Sequence, residues 1–168
     1  MASQIFSRLI INQLFTKLTW LRFIGFEFWM VGFTPFFIGF VVASSKLYDF
    51  NLFYGFLIMA ILTSSTFVLN HIYDLELDRK NPRKEFSLLV RGTISTKQAW
   101  ILFWFLQVTC IILSSVLGYD FLLCILGLTI ISFVYNIPPF RFKTKPGLDL
   151  ASNGLSLGFL IPLSAWSI

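Results

Sequence analysis

The chain alternates long apolar stretches with short polar ones. Asp, Glu, Lys and Arg are absent from four stretches: residues 50–73, 98–119, 121–140 and 150–168. A fifth apolar stretch, residues 28–45, is shorter, and it extends back to residue 20 if Glu27 is included. About 20 apolar residues are enough for a helix to cross a hydrocarbon core of about 30 Å. The pattern therefore predicts five membrane-spanning segments.

The type of segment follows from the same pattern. Inside a bilayer, only helices and closed barrels satisfy every backbone hydrogen bond, and barrel strands alternate apolar and polar residues. The five stretches are continuously apolar and show no such alternation. We therefore predict an all-α fold, a polytopic bundle of membrane helices. A composition of 57% hydrophobic and 12% charged residues agrees with this class.

The basic residues are unevenly distributed between the two ends of the predicted spans. Of thirteen Lys and Arg residues, all but Lys46 precede the first span or lie between the second and third or the fourth and fifth. Basic loops mark the cytoplasmic side, so the N-terminus and these two loops are predicted to be cytoplasmic. The net charge of +5 then belongs to one membrane face and gives no reason to expect a nucleic-acid partner.

Both termini of the chain carry apolar side chains. Residues 1–19 place apolar side chains near one helical face, which predicts an amphipathic helix at the membrane interface; a frayed terminus is the alternative. Residues 20–168 then form the membrane domain. The sequence ends inside its last apolar stretch without a polar residue to close it. We therefore expect this domain to be incomplete, with its C-terminal part missing.

An acidic segment, "NHIYDLELDR", closes the second apolar stretch. Asn70, Asp74 and Asp78 are four residues apart, so in a continuous helix their oxygens form one stripe. A pair of like charges at this spacing destabilises a helix by about 0.2–0.5 kcal/mol, so a cationic partner for the two aspartates is favoured. Mg²⁺ prefers such oxygen ligands. The alternative is a solvated helix end whose acids are balanced by the basic residues that follow: Arg79, Lys80, Arg83 and Lys84.

Further polar side chains lie on the same predicted membrane face. Arg91 belongs to "RGTIS" in the first cytoplasmic loop, and the others belong to the end of the fourth span and the loop after it: Tyr135, Arg141, Lys143 and Lys145. If the two loops meet, these side chains provide donors for several phosphate oxygens. The bias of basic residues towards the cytoplasm explains the basic ones among them equally well.

Three segments together resemble one family. "NHIYDLELDRKNP" resembles the first aspartate-rich motif, NDxxDxxxD, of the UbiA-type intramembrane prenyltransferases. "RGTIS" resembles their "RPLPSG"-like segment, and "YNIPPFRFKTKPGLDLASNG" is similar to their loop of Tyr, Pro and basic residues. The last segment is most similar to the forms found in lycopene elongases. The three motifs occur in the family's order, and the resemblance covers most of the chain from the first span onward.

The resemblance implies a bundle of nine membrane helices around a central cavity. It also implies an enzyme that binds a prenyl diphosphate through Mg²⁺ and transfers the prenyl group to a lipophilic acceptor, aromatic or isoprenoid. By position, Asn70, Asp74 and Asp78 would hold Mg²⁺, with the two aspartates as catalytic residues. The diphosphate would be bound by Arg141 and Lys143, and Tyr135 would orient it.

The chain departs from the family's pattern at two points. His71 stands where the motif has Asp, and nothing corresponds to the second aspartate-rich motif, because Asp149 and Asn153 come too early in the chain. We therefore expect diphosphate binding but little or no turnover from this chain alone. Two other functions remain open: a non-enzymatic membrane transporter or assembly subunit, and a lipid alcohol phosphotransferase, although "DLELDRKNPR" lacks the glycine-and-arginine spacer of that class.

Overall fold

A computed structural model describes residues 18–168. Within this range the chain forms long helices and no strands, which confirms the predicted all-α fold. The predicted interfacial helix over residues 1–19 lies almost entirely outside the described residues. The five spanning helices are α1 (Trp29–Ser44), α2 (Phe50–Asp78), α3 (Thr96–Ser114), α4 (Tyr119–Asn136) and α5 (Pro146–Trp166).

All five are long and apolar enough to cross a membrane, with the first span running from Phe26 to Ser44. A 3-10 turn, Phe26–Phe28, precedes α1, and Glu27 lies in it with an exposed side chain. Helices of this length and composition are typical of membrane spans, so the chain is an integral membrane protein. The prediction of five spans is therefore confirmed.

Helix α2 is the longest of the five, with 29 residues. At 1.5 Å per residue it is about 44 Å long, so one end projects from a hydrocarbon core of about 30 Å. Its first turn is capped by Asp49, whose side chain accepts a hydrogen bond from the Asn51 amide. Its last turns continue past the apolar stretch and are held by Leu75, which is buried in a cluster with Leu88 and Leu89 of the following loop.

A polar bridge inside the membrane region joins three helices. Gln107 of α3 accepts a hydrogen bond from the Ser65 hydroxyl of α2 at 3.0 Å and donates one to Thr129 of α4 at 2.7 Å. Hydrogen bonds between membrane helices contribute about 0.6–2 kcal/mol each. The bridge therefore helps to fix α2 against α3 and α4, the arrangement on which the position of the acidic helix end depends.

Helix α5 begins earlier than the apolar pattern indicates. The apolar stretch starts at residue 150 and leaves Pro146 in the loop before it, whereas Pro146 is the first residue of the helix. Proline suits this position because a backbone N–H in the first turn has no partner within the helix, so the absence of an N–H in proline costs no hydrogen bond. The helix contains a π-helical segment, Ser156–Leu160, before it continues to Trp166. It packs closely against α1 where Gly39 meets Pro162.

Candidate functional site

The C-terminal half of α2 meets the loop that joins α4 to α5. Arg141 donates a hydrogen bond through its Nη2 to Asp74 Oδ1 at 2.5 Å. The Lys143 Nζ donates to Asp74 Oδ2 at 2.7 Å and to Asn70 Oδ1 at 2.6 Å. The acidic helix and the basic loop, far apart in sequence, thus form one cluster of side chains, which we call the Asp74 cluster: Asn70, Asp74, Arg141 and Lys143.

The loop backbone directs the two basic side chains towards α2. Helix α4 ends at Asn136, and Arg141 then adopts a left-handed conformation with φ 38°. Such a conformation is uncommon for a residue other than glycine. A 3-10 turn, Phe142–Thr144, follows, and the Thr144 hydroxyl donates a hydrogen bond to the Arg141 carbonyl. The chain therefore turns back at this point, and Arg141 and Lys143 both reach Asp74.

A buried amide completes the surroundings of Lys143. Asn136 is only 1% exposed, and its Oδ1 accepts a hydrogen bond from Lys143 Nζ at 3.2 Å. Its Nδ2 donates to the Ser132 carbonyl, one turn earlier in α4. Asn136 is not among the site residues predicted from the sequence. Its position directly after Tyr135 in "YNIPP" is the signal that could have found it.

The Asp74 cluster is largely shielded from solvent and carries excess positive charge. The side chains of Lys143, Asp74 and Arg141 are 14%, 20% and 25% exposed. Burial lowers the pKa of Lys143, and the carboxylate of Asp74 opposes this shift. Two cations share this one carboxylate, and Arg141 Nε is buried without a hydrogen-bond partner among residues 18–168. The cluster therefore suits an additional anion.

Asp78 has a different neighbour from Asp74. Its Oδ2 lies 3.8 Å from His71 Nδ1, and the His71 ring stacks on Phe23 with 5.0 Å between ring centres. The predicted oxygen stripe is therefore divided: Asn70 and Asp74 share Lys143, whereas the carboxylate of Asp78 faces the residue that replaces the motif's aspartate.

Tyr135 belongs to a second polar group beside the Asp74 cluster. Its hydroxyl donates a hydrogen bond to Asp149 Oδ1 at 2.8 Å, and Asn153 Nδ2 donates to the same oxygen at 3.0 Å. The bond between Tyr135 and Asp149 joins α4 to α5. Neither Asp149 nor Asn153 is among the site residues predicted from the sequence.

Two predicted binding residues lie apart from the Asp74 cluster. The Arg91 guanidinium lies over the Phe86 ring, 4.8 Å from its centre, and is exposed. Lys145 is also exposed, at the start of α5, where its carbonyl accepts a hydrogen bond from the Asp149 amide. Within residues 18–168, neither side chain forms an ion pair with the acids of α2.

A cavity of about 450 Å³ opens beside the cluster. Its size falls within the usual range for small-molecule sites. Of the aromatic side chains that line it, Phe67 stacks on Phe28, with 4.5 Å between ring centres. Its polar lining includes Asn70, Tyr135, Asn136, Lys143 and Asn153, and its apolar lining includes Met59, Leu62, Leu128, Leu157 and Ile161. The cavity therefore suits a ligand with a charged head and an apolar tail.

Comparison with known proteins identifies the family. Residues 32–168 match the sequence profile of the UbiA prenyltransferase family. The chain belongs to this family. Its resemblance to the family's motifs is thereby confirmed over most of its length.

Sequence relatives of this UbiA-family chain include prenyl-modifying enzymes. A lycopene elongase/hydratase from Haloarcula japonica is 34% identical over 52% of this chain and 29% of that protein. A 2-acyl-4-prenylphloroglucinol 6-prenyltransferase from Humulus lupulus is 33% identical over 67% of this chain and 28% of that protein. The chain thus spans less than a third of the length of these curated relatives.

A solved structure has the same fold. It is a UbiA homolog from Archaeoglobus fulgidus bound to DMAPP and Mg²⁺, with a TM-score of 0.81 and 27% identity, and the match covers 89% of this chain and 54% of that one. The five helices described here therefore correspond to about half of the larger UbiA fold.

Two side-chain oxygens of the Asp74 cluster are suitable ligands for a divalent cation. Asn70 Oδ1 and Asp74 Oδ2 both lie within 2.7 Å of one cationic atom, the Nζ of Lys143, so they already converge on a positive charge. Residues 18–168 contain no group of three His, Cys, Asp or Glu side chains that could hold a metal. Mg²⁺ usually binds one or two carboxylates together with water and phosphate oxygens, so the pair is chemically suitable.

Proposed function

We propose that this chain binds a prenyl diphosphate together with Mg²⁺, and that the protein transfers the prenyl group to a lipophilic acceptor, aromatic or isoprenoid. The main support is the cavity beside the Asp74 cluster, because its lining combines Lys143 and oxygen-bearing side chains with an apolar wall. The activities of the sequence relatives and the ligands of the structural relative support the same substrate class.

Each predicted site residue has a proposed role. Asn70 and Asp74 bind Mg²⁺, and Asp78 joins them when its carboxylate turns away from His71. The diphosphate contacts Lys143 and also Arg141, through the Nε that has no hydrogen-bond partner within residues 18–168. Tyr135, held by Asp149, orients the substrate from the cavity wall, while the exposed side chains provide an outer positive surface: Arg91 and Lys145.

Chemistry at this site requires the bond between the allylic carbon and the diphosphate oxygen to break. Mg²⁺ would supply neutralisation of the departing diphosphate. Arg141 and Lys143 stabilise the same negative charge through hydrogen bonds. The apolar wall shields the allylic cation from water until a carbon–carbon bond forms and the acceptor loses a proton. The Phe67 ring, on the cavity wall, provides an aromatic face for that cation.

We also propose that this site faces the cytoplasm. The Asp74 cluster lies at the end of α2 that leads into the basic loop between α2 and α3. The loop between α4 and α5 contributes Arg141 and Lys143 to the cluster and belongs to the same side. The excess of basic residues in both loops supports this orientation. The diphosphate would then reach the site from the cytosol.

The proposed function predicts Mg²⁺-dependent binding of geranylgeranyl diphosphate. We expect Mg²⁺ to tighten binding to the wild-type chain and to have little effect on Asp74→Ala, because the carboxylate that lies beside Asn70 in the proposed metal site is lost. The measurement is the dissociation constant of a radiolabelled ligand, with and without Mg²⁺, for the purified chain in lipid nanodiscs.

Asp120→Ala is the matched control for this experiment. Asp120 is an exposed acid in the first turn of α4, at the opposite end of that helix from Tyr135. It should keep the wild-type response to Mg²⁺. Equal, Mg²⁺-dependent binding by the wild type and Asp74→Ala would exclude the proposed metal site, and no binding by the wild type would reject the proposed function. Either result would favour the alternative function, a membrane transporter or assembly subunit.

A further inference from the structure

We propose that Lys143 occupies the position of the metal in the free protein, so that Mg²⁺ and the diphosphate can bind tightly only as a pair. This inference rests on the proposed function. It concerns how the two ligands depend on each other: the lysine leaves the oxygens of α2 when a diphosphate arrives, and the metal takes its place.

The first support is the complete use of the Lys143 ammonium group. An ammonium has three N–H donors. Those of Lys143 point to three oxygens, Oδ1 of Asn70 at 2.6 Å, Oδ2 of Asp74 at 2.7 Å and Oδ1 of Asn136 at 3.2 Å. Lys143 therefore has no donor left for a phosphate, and it must release at least one of these oxygens in order to bind one.

The second support is the contrast with Arg141. That side chain also bonds Asp74, yet its Nε is buried and unpaired within residues 18–168. The Arg141 Nε can therefore donate a hydrogen bond to an anion while Nη2 keeps its hydrogen bond to Asp74. Lysine has a flexible four-carbon stem and a compact charge, whereas arginine is a planar fork. Lys143 is consequently the cation that moves, and Arg141 is the one that stays.

The exchange couples the two ligands. If Lys143 swings to a diphosphate, Asn70 Oδ1 and Asp74 Oδ2 lose their shared cation at the moment when phosphate oxygens become available as further metal ligands. Mg²⁺ alone must instead displace the ammonium, and a diphosphate alone must draw Lys143 away from a carboxylate. Each ligand therefore lowers the cost of binding the other, and linkage requires the two effects to be equal.

Removing Lys143 tests this exchange with equilibrium binding rather than turnover. We expect Lys143→Met to bind Mg²⁺ alone more tightly than the wild type, because the ammonium no longer holds the oxygens of Asn70 and Asp74. Dimethylallyl diphosphate should bind more weakly to the variant. In the wild type each ligand should strengthen the other by about 5–150-fold, the usual range of coupling between two sites, and this factor should fall in the variant.

The measurements use the full chain in lipid nanodiscs. Mg²⁺ binding is followed by calorimetry without any diphosphate, and dimethylallyl diphosphate binding is followed by equilibrium dialysis at zero and at saturating free Mg²⁺. This diphosphate is short enough to remain in solution. Lys143→Gln, which keeps a hydrogen-bond donor, provides a second variant if Lys143→Met fails to fold, and it should show the same gain in Mg²⁺ affinity.

Lys97→Met is the matched control. Lys97 is exposed in the first turn of α3, and its loss removes the same charge from the same side of the membrane. It should keep wild-type affinities, which separates exchange at the site from a change in overall charge. The inference is overturned if a folded Lys143 variant binds Mg²⁺ alone no more tightly than the wild type, or if the two ligands bind the wild type independently.

These outcomes differ from a failure of the proposed function. If the wild type binds dimethylallyl diphosphate and Mg²⁺ but the variants show no gain in metal affinity, only the placement of Lys143 is wrong. If the wild type binds no diphosphate at any Mg²⁺ concentration, the proposed function is wrong, and the inference that rests on it is rejected as well.

Discussion

Asn136 links the charged cluster to the helix that carries it. Its amide accepts a hydrogen bond from Lys143 and donates one to Ser132, and it is buried on all sides. A buried polar group left without its partner costs about 1–3 kcal/mol. Asn136 therefore holds the lysine in place and also secures the last turn of α4.

Replacement of Asn136 separates these two contacts. Asn136→Leu should lower the free energy of unfolding by about 1–3 kcal/mol, because the Ser132 carbonyl and the Lys143 ammonium both lose a partner. Asn136→Asp keeps the oxygen that faces Lys143 and should retain the geometry of the Asp74 cluster, while losing the bond to Ser132. Thermal unfolding in detergent measures the stability of both variants. Equal stability of the wild type and Asn136→Leu would contradict this role.

Residues of the site differ in how far the sequence alone could place them. The four-residue spacing of Asn70 and Asp74 fixes their common helix face, and the shared membrane face of the loops is consistent with the contacts that Arg141 and Lys143 make with them. Side-chain partners depend instead on packing that no local pattern contains. Asp78 faces His71, and Arg91 lies over Phe86. Their proposed roles stay predictions.

At the scale of helices, close contact between α1 and α5 shapes the bundle around the cavity. A Cβ atom on Gly39 would lie 2.6 Å from the Pro162 carbonyl oxygen and 2.8 Å from its Cα. Both are backbone atoms, which cannot move aside as a flexible side chain can. Small residues let membrane helices approach in this way. Gly39 therefore sets the distance between α1 and the helix that forms one wall of the cavity.

Gly39→Ala tests this contact against a neighbour on the same helix. We expect it to lower the free energy of unfolding by about 1–3 kcal/mol, the usual cost of overpacking. Gly32→Ala is the control, because the nearest atom to its added Cβ is Thr63 Oγ1 at 3.8 Å, an ordinary contact distance. The control should be neutral or slightly stabilising. Unfolding of both variants in detergent gives the comparison, and equal effects would argue against a tight contact at Gly39.

The number of spanning helices could be predicted from the sequence, but the residues at which the helices end were harder to predict. Hydropathy is a local property, so the apolar stretches identify all five spans. The ends depend on other contacts. Helix α2 extends to Asp78 beyond its apolar stretch because Leu75 packs on Leu88 and Leu89, and α5 starts at Pro146, a residue that an apolar pattern does not select.

The distribution of charge predicts the orientation of the helix bundle in the membrane. The basic loops between α2 and α3 and between α4 and α5 lie at one end, and the loop at Lys46 lies at the other. Lys46 pairs with Asp49 at 2.8 Å, so even this single basic residue has a local counter-charge. The imbalance between the two ends should therefore determine insertion, with the Asp74 cluster on the cytoplasmic side.

Single added cysteines test the orientation without reference to activity. Cys110 and Cys124 are buried free thiols and should react slowly, so they provide a low background. In intact cells, a membrane-impermeant maleimide should label Leu47→Cys and spare Thr144→Cys, two exposed positions at opposite ends of the bundle. After permeabilisation both should be labelled, which shows that Thr144→Cys is accessible. Labelling of Thr144→Cys in intact cells would place the Asp74 cluster outside, and a cytosolic diphosphate could not then reach it directly.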